Sequence, residues 1–154
     1  MINNLTLEDK SEIEKALDNF AFVWNQKDAE GLVNLFVSDC EFIDIMGQLA
    51  LGKPNIQKMH VMVFQKMMKE AILQLDILYA RAIAKGLALV TGKWSTKGHT
   101  DPQNNKLLER AGIIEVVLEK DEGEWKLKMV QNFDFTGMYN NPKAYAIKTL
   151  SPTV

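Results

Sequence analysis

The main change in the spacing of the apolar residues of this chain falls near residue 70, from intervals of three or four to intervals of two. Helices bury residues at intervals of three and four, whereas strands bury alternate residues, so the chain should form helices first and strands afterwards. Four long strands are predicted after the change, Ile72 to Ala84, Leu87 to Lys97, Leu107 to Glu119 and Trp125 to Thr136. Because no helix separates these strands, the sheet should be mainly antiparallel and the fold class α+β.

The first part of the chain begins with two predicted helices. The first helix should follow the capping hydroxyl of Thr6, bury an amphipathic stripe and end near Asn25. Asp28 can cap a second, shorter helix, which should bury Phe36 and close at Ser38-Asp39.

A short strand pair and a third helix complete the first part. The runs Glu41 to Met46 and Gln48 to Leu51 lie on either side of Gly47, a pattern typical of a hairpin. The helix should open at Gly52, two residues before a proline, and continue to about Lys69.

Composition and charge disfavour several classes of function. A net charge of -2 and a pI near 5.7 give no basic field for a nucleic-acid backbone. The single cysteine, Cys40, cannot form an internal disulfide, and no cluster has zinc-site spacing, so no metal is expected. The sequence also lacks a nucleotide-binding glycine loop, so no cofactor is expected. Neither a signal peptide nor an apolar run of ~20 residues is present, which favours the cytoplasm and no membrane contact.

The predicted strands are apolar on both of their faces. Ile113 and Val117 alternate with Ile114, Val116 and Leu118. A sheet of this kind needs cover on both sides, and three helices can cover only one. We therefore expect a homodimer that forms through the other face.

Four short motifs follow one another along the chain: Trp24 to Leu32 (WNQKDAEGL), Phe42 to Gly47 (FIDIMG), Gly52 to Ile56 (GKPNI) and Gly123 to Leu127 (GEWKL). In their order and spacing they resemble NTF2-like proteins, and within them the SnoaL-like, SgcJ/EcaC-type branch. The resemblance implies a cone-shaped half-barrel in which three N-terminal helices pack on a curved, mainly antiparallel sheet. It also implies a pocket, open at one end, for a small apolar molecule. Residues 1–139 would form this domain and residues 140–154 a C-terminal extension of it.

Asp44 is the first candidate catalytic residue. It interrupts an apolar run on the same parity as Phe42 and Met46, where an isolated carboxylate would resist ionisation and could act as a general acid or base. By the resemblance, it matches the aspartate base of ketosteroid isomerase. The alternatives are an exposed edge-strand aspartate or one bonded to nearby backbone.

Glu115 and His60 are the candidate proton donors. By the resemblance, Glu115 matches the protonated acid of the isomerase oxyanion hole; the alternative is an ion pair with Arg110, Lys128 or a dimer partner. His60 lies on the apolar stripe of the third helix. There it would act as a proton shuttle or, alternatively, pack as a core residue. Phe20 stands where the isomerase has its tyrosine donor, so the resemblance does not extend to ketosteroid isomerisation itself.

Apolar side chains should line the pocket. Phe20 and Trp24 on the first helix and Trp94 on its strand are the candidates, and they favour an apolar or aromatic ligand. By the resemblance, Asn132 matches a family position near the end of the pocket. Alternation along the strand places it on the same side as Lys126 and Lys128, which should face outward unless a bulge intervenes.

Two functions follow from these residues. The first is a ligand-binding protein that performs cofactor-free acid–base chemistry, such as isomerisation, cyclisation or dehydration. The second is a non-catalytic module for ligand binding or dimeric protein association.

Overall fold

Helices dominate the first part of the chain and long strands the second, as the change in spacing predicts. The computed structural model describes residues 5–135, so the domain boundary at residue 139 and the extension 140–154 lie outside the described residues. The elements are α1 (Leu7–Asn25), α2 (Ala29–Val33), β1 (Phe36–Ile43), β2 (Leu49–Leu51), α3 (Gly52–Gln65), β3 (Ile72–Ala84), β4 (Leu87–Lys97), β5 (Arg110–Asp121) and β6 (Glu124–Asp134).

The six strands form one open, curved sheet in the order β2-β1-β6-β5-β4-β3. Every neighbouring pair is antiparallel except β1 and β6, which run parallel. The α+β fold with a mainly antiparallel sheet is therefore confirmed.

The sheet has an inner face, which packs against the helices, and an outer face. On β4 and β5 the inner residues are buried and alternate with half-exposed or exposed outer residues. The inner residues are Ala88, Val90, Trp94, Ile114, Val116 and Leu118, each 5% exposed or less. This alternation decides which side chains can meet inside the molecule.

Helix α1 begins at a capping box, in which Thr6 and Asp9 exchange side-chain and backbone hydrogen bonds. At its other end, the Asn25 amide donates to the carbonyl oxygen of Leu73 at 2.9 Å and accepts the Leu73 N–H at 2.8 Å. The side chain thus replaces a missing strand partner and fixes the end of α1 to β3.

The prediction that Phe36 belongs to the second helix is wrong. Helix α2 ends at Val33, and Phe36 is the first residue of β1, where it pairs with Leu127. The Leu127 N–H also donates to the Leu35 carbonyl at 2.9 Å. Pairing with β6 therefore makes Phe36 part of the sheet. As a result, β1 begins five residues before the predicted start of the strand at Glu41.

Helix α3 is shorter than predicted, and β5 begins later. The helix ends at Gln65 instead of about Lys69, because the Met68 N–H bonds to the Val63 carbonyl across a wider turn. Strand β5 begins at Arg110, three residues after the predicted start, and the preceding Leu108 is 88% exposed.

Strand β6 contains one extra residue. The consecutive residues Val117 and Leu118 of β5 pair with Met129 and Leu127, which leaves Lys128 without a partner on β5. Such a β-bulge reverses the alternation of the residues that follow it.

Within the described part of the chain, no helix is long and apolar enough to cross a membrane. Among these same residues, no three His, Cys, Asp or Glu side chains form a group that could hold a metal ion.

Candidate functional site at one end of the inner face

Asp44 lies in the turn that joins β1 to β2 and is half-buried. Its Oδ1 atom accepts the N–H groups of Met46 and Gln48, both at 2.9 Å, and its own N–H donates to the Gln48 carbonyl at 3.1 Å. These contacts match the alternative in which the aspartate is bonded to nearby backbone. Its Oδ2 atom has no hydrogen-bond partner among residues 5–135, so one carboxylate oxygen is left for a ligand.

His60 is buried on α3, with 4% of its surface exposed. Its Nδ1 atom is 2.8 Å from the Ile56 carbonyl oxygen, and its ring stands edge-on to that of Phe42 at 4.8 Å. Because a carbonyl oxygen can only accept, Nδ1 carries the hydrogen and Nε2 is left with a lone pair.

Burial lowers the pKa of His60 below its ordinary value, while the Ile56 bond and the negative charge of Asp44 act in the opposite direction. Asp44 follows two residues after Phe42, whose ring contacts that of His60, so Asp44 and His60 lie at the same end of β1. The ring is neutral at pH 7, so its Nε2 can accept a proton but has none to donate. The chemistry favours His60 as a base, in place of the donor role expected from the sequence.

Asn132 faces inward because of the bulge at Lys128. It pairs with Ile114, an inner residue that is 3% exposed. Its Nδ2 atom donates to the Ile43 carbonyl at 3.3 Å. Ile43 directly precedes Asp44 and pairs with Gln131, so Asn132 and Asp44 are neighbours on parallel strands. The structure therefore brings Asp44, His60 and Asn132 to the same end of the inner face.

Glu115 lies on the outer face of β5. Its neighbours Ile114 and Val116 point inward, and Thr91, across the strand pair, donates its hydroxyl to Glu115 Oε1 at 3.4 Å. The sheet thus separates this carboxyl group from Asp44 and His60. The structure does not bring the three predicted catalytic residues together.

Phe20, Trp24 and Trp94 are packed in the core, at 3%, 8% and 5% exposure. The ring of Trp24 stands edge-on to that of Phe64 at 5.4 Å, and Trp94 Nε1 donates to the Ile113 carbonyl at 3.3 Å. Phe20 and Trp24 line neither surface groove of the structure, so a ligand would reach them only if neighbouring side chains moved.

Two surface grooves accompany this packed interior. One, of about 300 Å³, lies between α1 and the first residues of β6, and the other, of about 250 Å³, lies on the outer face at the ends of β3, β4 and β5. Asp44, His60 and Asn132 line neither of them, whereas Trp94 contributes to the second.

The structure adds polar residues at this end that sequence reasoning did not select. Thr96, His99, Arg110 and Asp134 lie near the ends of β4, β5 and β6. His99 is 1% exposed although the sequence places it in a polar loop. The sequence signal was weak, because burial of a loop histidine depends on contacts between distant segments.

The two histidines of the chain predict a loss of stability in mild acid. Burial lowers the pKa of both His60 and His99 below the ordinary value of about 6.5. Between that value and the lower folded pKa, the unfolded chain binds more protons, so the free energy of unfolding should fall as the pH falls from about 7.5 to 5.5. Urea unfolding at several pH values measures this decline.

The variant His60→Gln tests the source of that decline. Its free energy of unfolding should depend less steeply on pH than that of the wild type, because one of the two titrating rings is gone. A slope equal to that of the wild type would contradict a neutral, buried His60.

Comparison with known proteins supports the fold. No family model and no curated protein matches the sequence. Among solved structures, an uncharacterised protein with a cystatin-like fold from Caulobacter vibrioides has a TM-score of 0.77 at 20% identity, over 89% of this chain and 93% of that one.

Two further structures show the same arrangement. An NTF-2 like protein of unknown function from Shewanella oneidensis has a TM-score of 0.66 at 16% identity, over 81% of this chain and 98% of that one. A ketosteroid isomerase-like protein from Erwinia carotovora atroseptica has a TM-score of 0.70 at 15% identity, over 84% of this chain and 98% of that one. The chain therefore has the NTF2-like, cystatin-like cone fold that its sequence predicted.

Proposed function

We propose that the end of the inner face formed by Asp44, His60 and Asn132 binds a small, mainly apolar molecule through one polar group. The observation that carries the proposal is the lone pair on Nε2 of the buried, neutral His60 ring, which faces no hydrogen-bond partner in residues 5–135. A bound hydroxyl group can donate a hydrogen bond to this lone pair, and a bound acidic C–H group can transfer its proton to it.

The same groups support cofactor-free proton transfer. Nε2 of His60 can take a proton from the bound molecule, and the nearby negative charge of Asp44 stabilises the imidazolium ion that results. Isomerisation, cyclisation and dehydration all contain such a step. The likeness to a ketosteroid isomerase-like protein is consistent with this chemistry.

The second candidate function is a non-catalytic dimeric module, and the outer face favours it. Tyr79 and Phe133 are 59% and 54% exposed there, beside the half-buried Ile113 and Val117. Exposed apolar area of this kind marks interaction surfaces. We therefore propose a homodimer through the outer face, which either function can use. The SgcJ/EcaC-type assignment and the cytoplasmic location stay predictions.

A ligand titration tests the proposed site. Small aromatic ketones are titrated into the wild type, Asp44→Asn, His60→Gln and the matched control Glu115→Gln, and the imidazole NMR signals report binding. We expect about tenfold weaker binding for the first two variants and no change for the control, because Glu115 lies on the other face. Deuterium transfer from solvent to the carbon beside the ketone reports proton transfer.

The titration also separates the alternatives. Weaker binding only in Glu115→Gln would place the ligand on the outer face and contradict the proposal. Binding without deuterium transfer would retain the site and favour the non-catalytic function. Thermal unfolding of each variant shows that it is folded; Asn at position 44 can still accept the two backbone N–H groups of the turn.

A further inference from the structure

The larger surface groove, of about 300 Å³, lies between α1 and the first residues of β6. One wall is a single face of α1, on which Glu12, Lys15, Ala16 and Asn19 lie at helical spacing. The opposite wall contains Trp125, and the turn between α2 and β1 completes the lining. This volume is at the lower end of the range for small-molecule sites, about 300 Å³. The groove therefore has room for a small ligand.

The backbone of Trp125 points away from β5. Asp121 and Glu124 flank the two-residue turn of the β5–β6 hairpin, and such a flanking pair exchanges hydrogen bonds. In the next pair, Lys120 and Trp125, the backbone groups point to the outer sides of the two strands. Lys120 shows this pattern, because its N–H donates to the Gly86 carbonyl at 2.9 Å, on the side of β4. The N–H and C=O of Trp125 therefore point to the opposite side, where β1 is the neighbour of β6.

Strand β1 begins too late to pair with these two groups. Leu127, two residues after Trp125, donates its N–H to the Leu35 carbonyl at 2.9 Å, and β1 begins at the next residue, Phe36. The Leu35 N–H donates instead to the Leu32 carbonyl at 3.1 Å. Within residues 5–135 the N–H and C=O of Trp125 thus have no hydrogen-bond partner, although Trp125 is only 8% exposed. Backbone groups at such positions are nearly always paired, so a partner from outside is expected.

The groove also offers one free charge of each sign. Lys15 on α1 and Glu124 on β6 form no ion pair with any residue that the structure describes. The other two charged residues of the lining, Glu12 and Lys126, already have ion-pair partners, at 3.9 and 3.4 Å. A ligand that carries both an ammonium and a carboxylate group complements the two free charges.

We propose that this groove binds a short peptide of two or three residues with free termini. The peptide lies along β6 as an added strand, and its C=O and N–H groups pair with the N–H and C=O of Trp125. Its terminal ammonium and carboxylate groups meet the charges of Glu124 and Lys15. The groove is at the start of β1, whereas Asp44 follows the end of that strand, about 25 Å away. This site is therefore independent of the one at Asp44 and His60.

An NMR titration with trialanine tests the proposal. The chain has three tryptophans, so selective ¹⁵N labelling gives three tryptophan backbone amide signals. Trialanine should shift the Trp125 amide signal to saturation, because this N–H gains a hydrogen bond, and should leave those of Trp24 and Trp94 in place. An unmoved Trp125 signal, as expected if only water pairs these groups, overturns the proposal.

Analogues of trialanine separate the backbone contacts from the charges. Methylation of both peptide nitrogens should weaken binding at least about tenfold, because the Trp125 carbonyl then has no donor. Acetylation of the amino end and amidation of the carboxyl end remove both charges and should weaken binding about threefold or more. Binding of either analogue as tight as that of trialanine overturns the proposal.

A substitution that fills the groove gives the second test. Ala16→Met places a larger side chain against the peptide and should weaken trialanine binding about tenfold. The matched control is Glu14→Met, which adds the same side chain at an exposed position of α1 outside the groove and should bind as the wild type does. Thermal unfolding shows that each variant is folded, and the analogue series decides the outcome if Ala16→Met is not. Unchanged binding in a folded Ala16→Met protein, or equal losses in both variants, overturns the proposal.

Discussion

The substitution Gly112→Ala should lower the free energy of unfolding by more than about 3 kcal/mol, a large share of the roughly 5–15 kcal/mol of a typical domain. Gly112 lies on β5 with the ring of Trp94 across it and the carbonyl group of Phe133 beside it. A Cβ atom at this position would fall 2.5 Å from Cζ2 of Trp94 and would overlap the Phe133 carbonyl oxygen. The Phe133 carbonyl oxygen belongs to the backbone of a paired strand, so it cannot move away as the end of a flexible side chain can. Urea unfolding measures the loss.

A second inner-face glycine gives the matched control. At Gly92, on β4, a Cβ atom would meet Ile114 at 3.1 Å and the Asp76 carbonyl oxygen at 3.2 Å, distances that small shifts can relieve. Gly92→Ala should therefore cost about 1 kcal/mol or less. Equal losses in the two variants would show that the close approach of Trp94 and Phe133 to Gly112 is not the cause.

The substitution Phe36→Ala should lower the free energy of unfolding by about 4 kcal/mol. Phe36 is fully buried at the start of β1, and its ring centroid is 6.5 Å from that of Phe42. Loss of the ring removes its transfer free energy and leaves a cavity between β1 and its neighbours. Chemical denaturation of the purified variant measures the effect.

Phe22 on α1 provides the comparison, because it is 63% exposed. Phe22→Ala should change stability by about 0.5 kcal/mol or less. A large loss in Phe22→Ala with a small one in Phe36→Ala would reverse the assignment of these residues to surface and core.

Phe36 also shows where sequence reasoning ended. The long strands β3 and β4 were predicted with the bounds that the structure shows, because their alternation is regular and a turn separates them. Phe36 fits both the stripe of a short helix and the inner face of a strand. Its pairing with Leu127, 91 positions later in the chain, decides between them. A local pattern contains no information about such a distant partner.

The candidate site was predictable to a similar extent. His60 and Asp44 follow from local spacing, and the structure places both at one end of the inner face. Glu115 was predicted to be a proton donor by resemblance, but the alternation of inner and outer residues along β5 places it on the outer face. Asn132 needed the bulge in β6, and the burial of His99 needed contacts between its loop and distant parts of the chain. Each of these depends on pairing between strands, which one sequence does not reveal.

The extra residue Lys128 lets one strand serve two environments. Before the bulge, Lys126 faces the solvent side; after it, Asn132 and Asp134 face the interior. Without the bulge, the alternation of a regular strand would place all three on the same side. Strand length, not residue identity, thus decides which polar groups a bound molecule can meet. Deletion of this single residue would turn the inward side chains at the end of β6 outward and the outward ones inward. It is therefore a direct way to change which chemical groups face the interior of the cone.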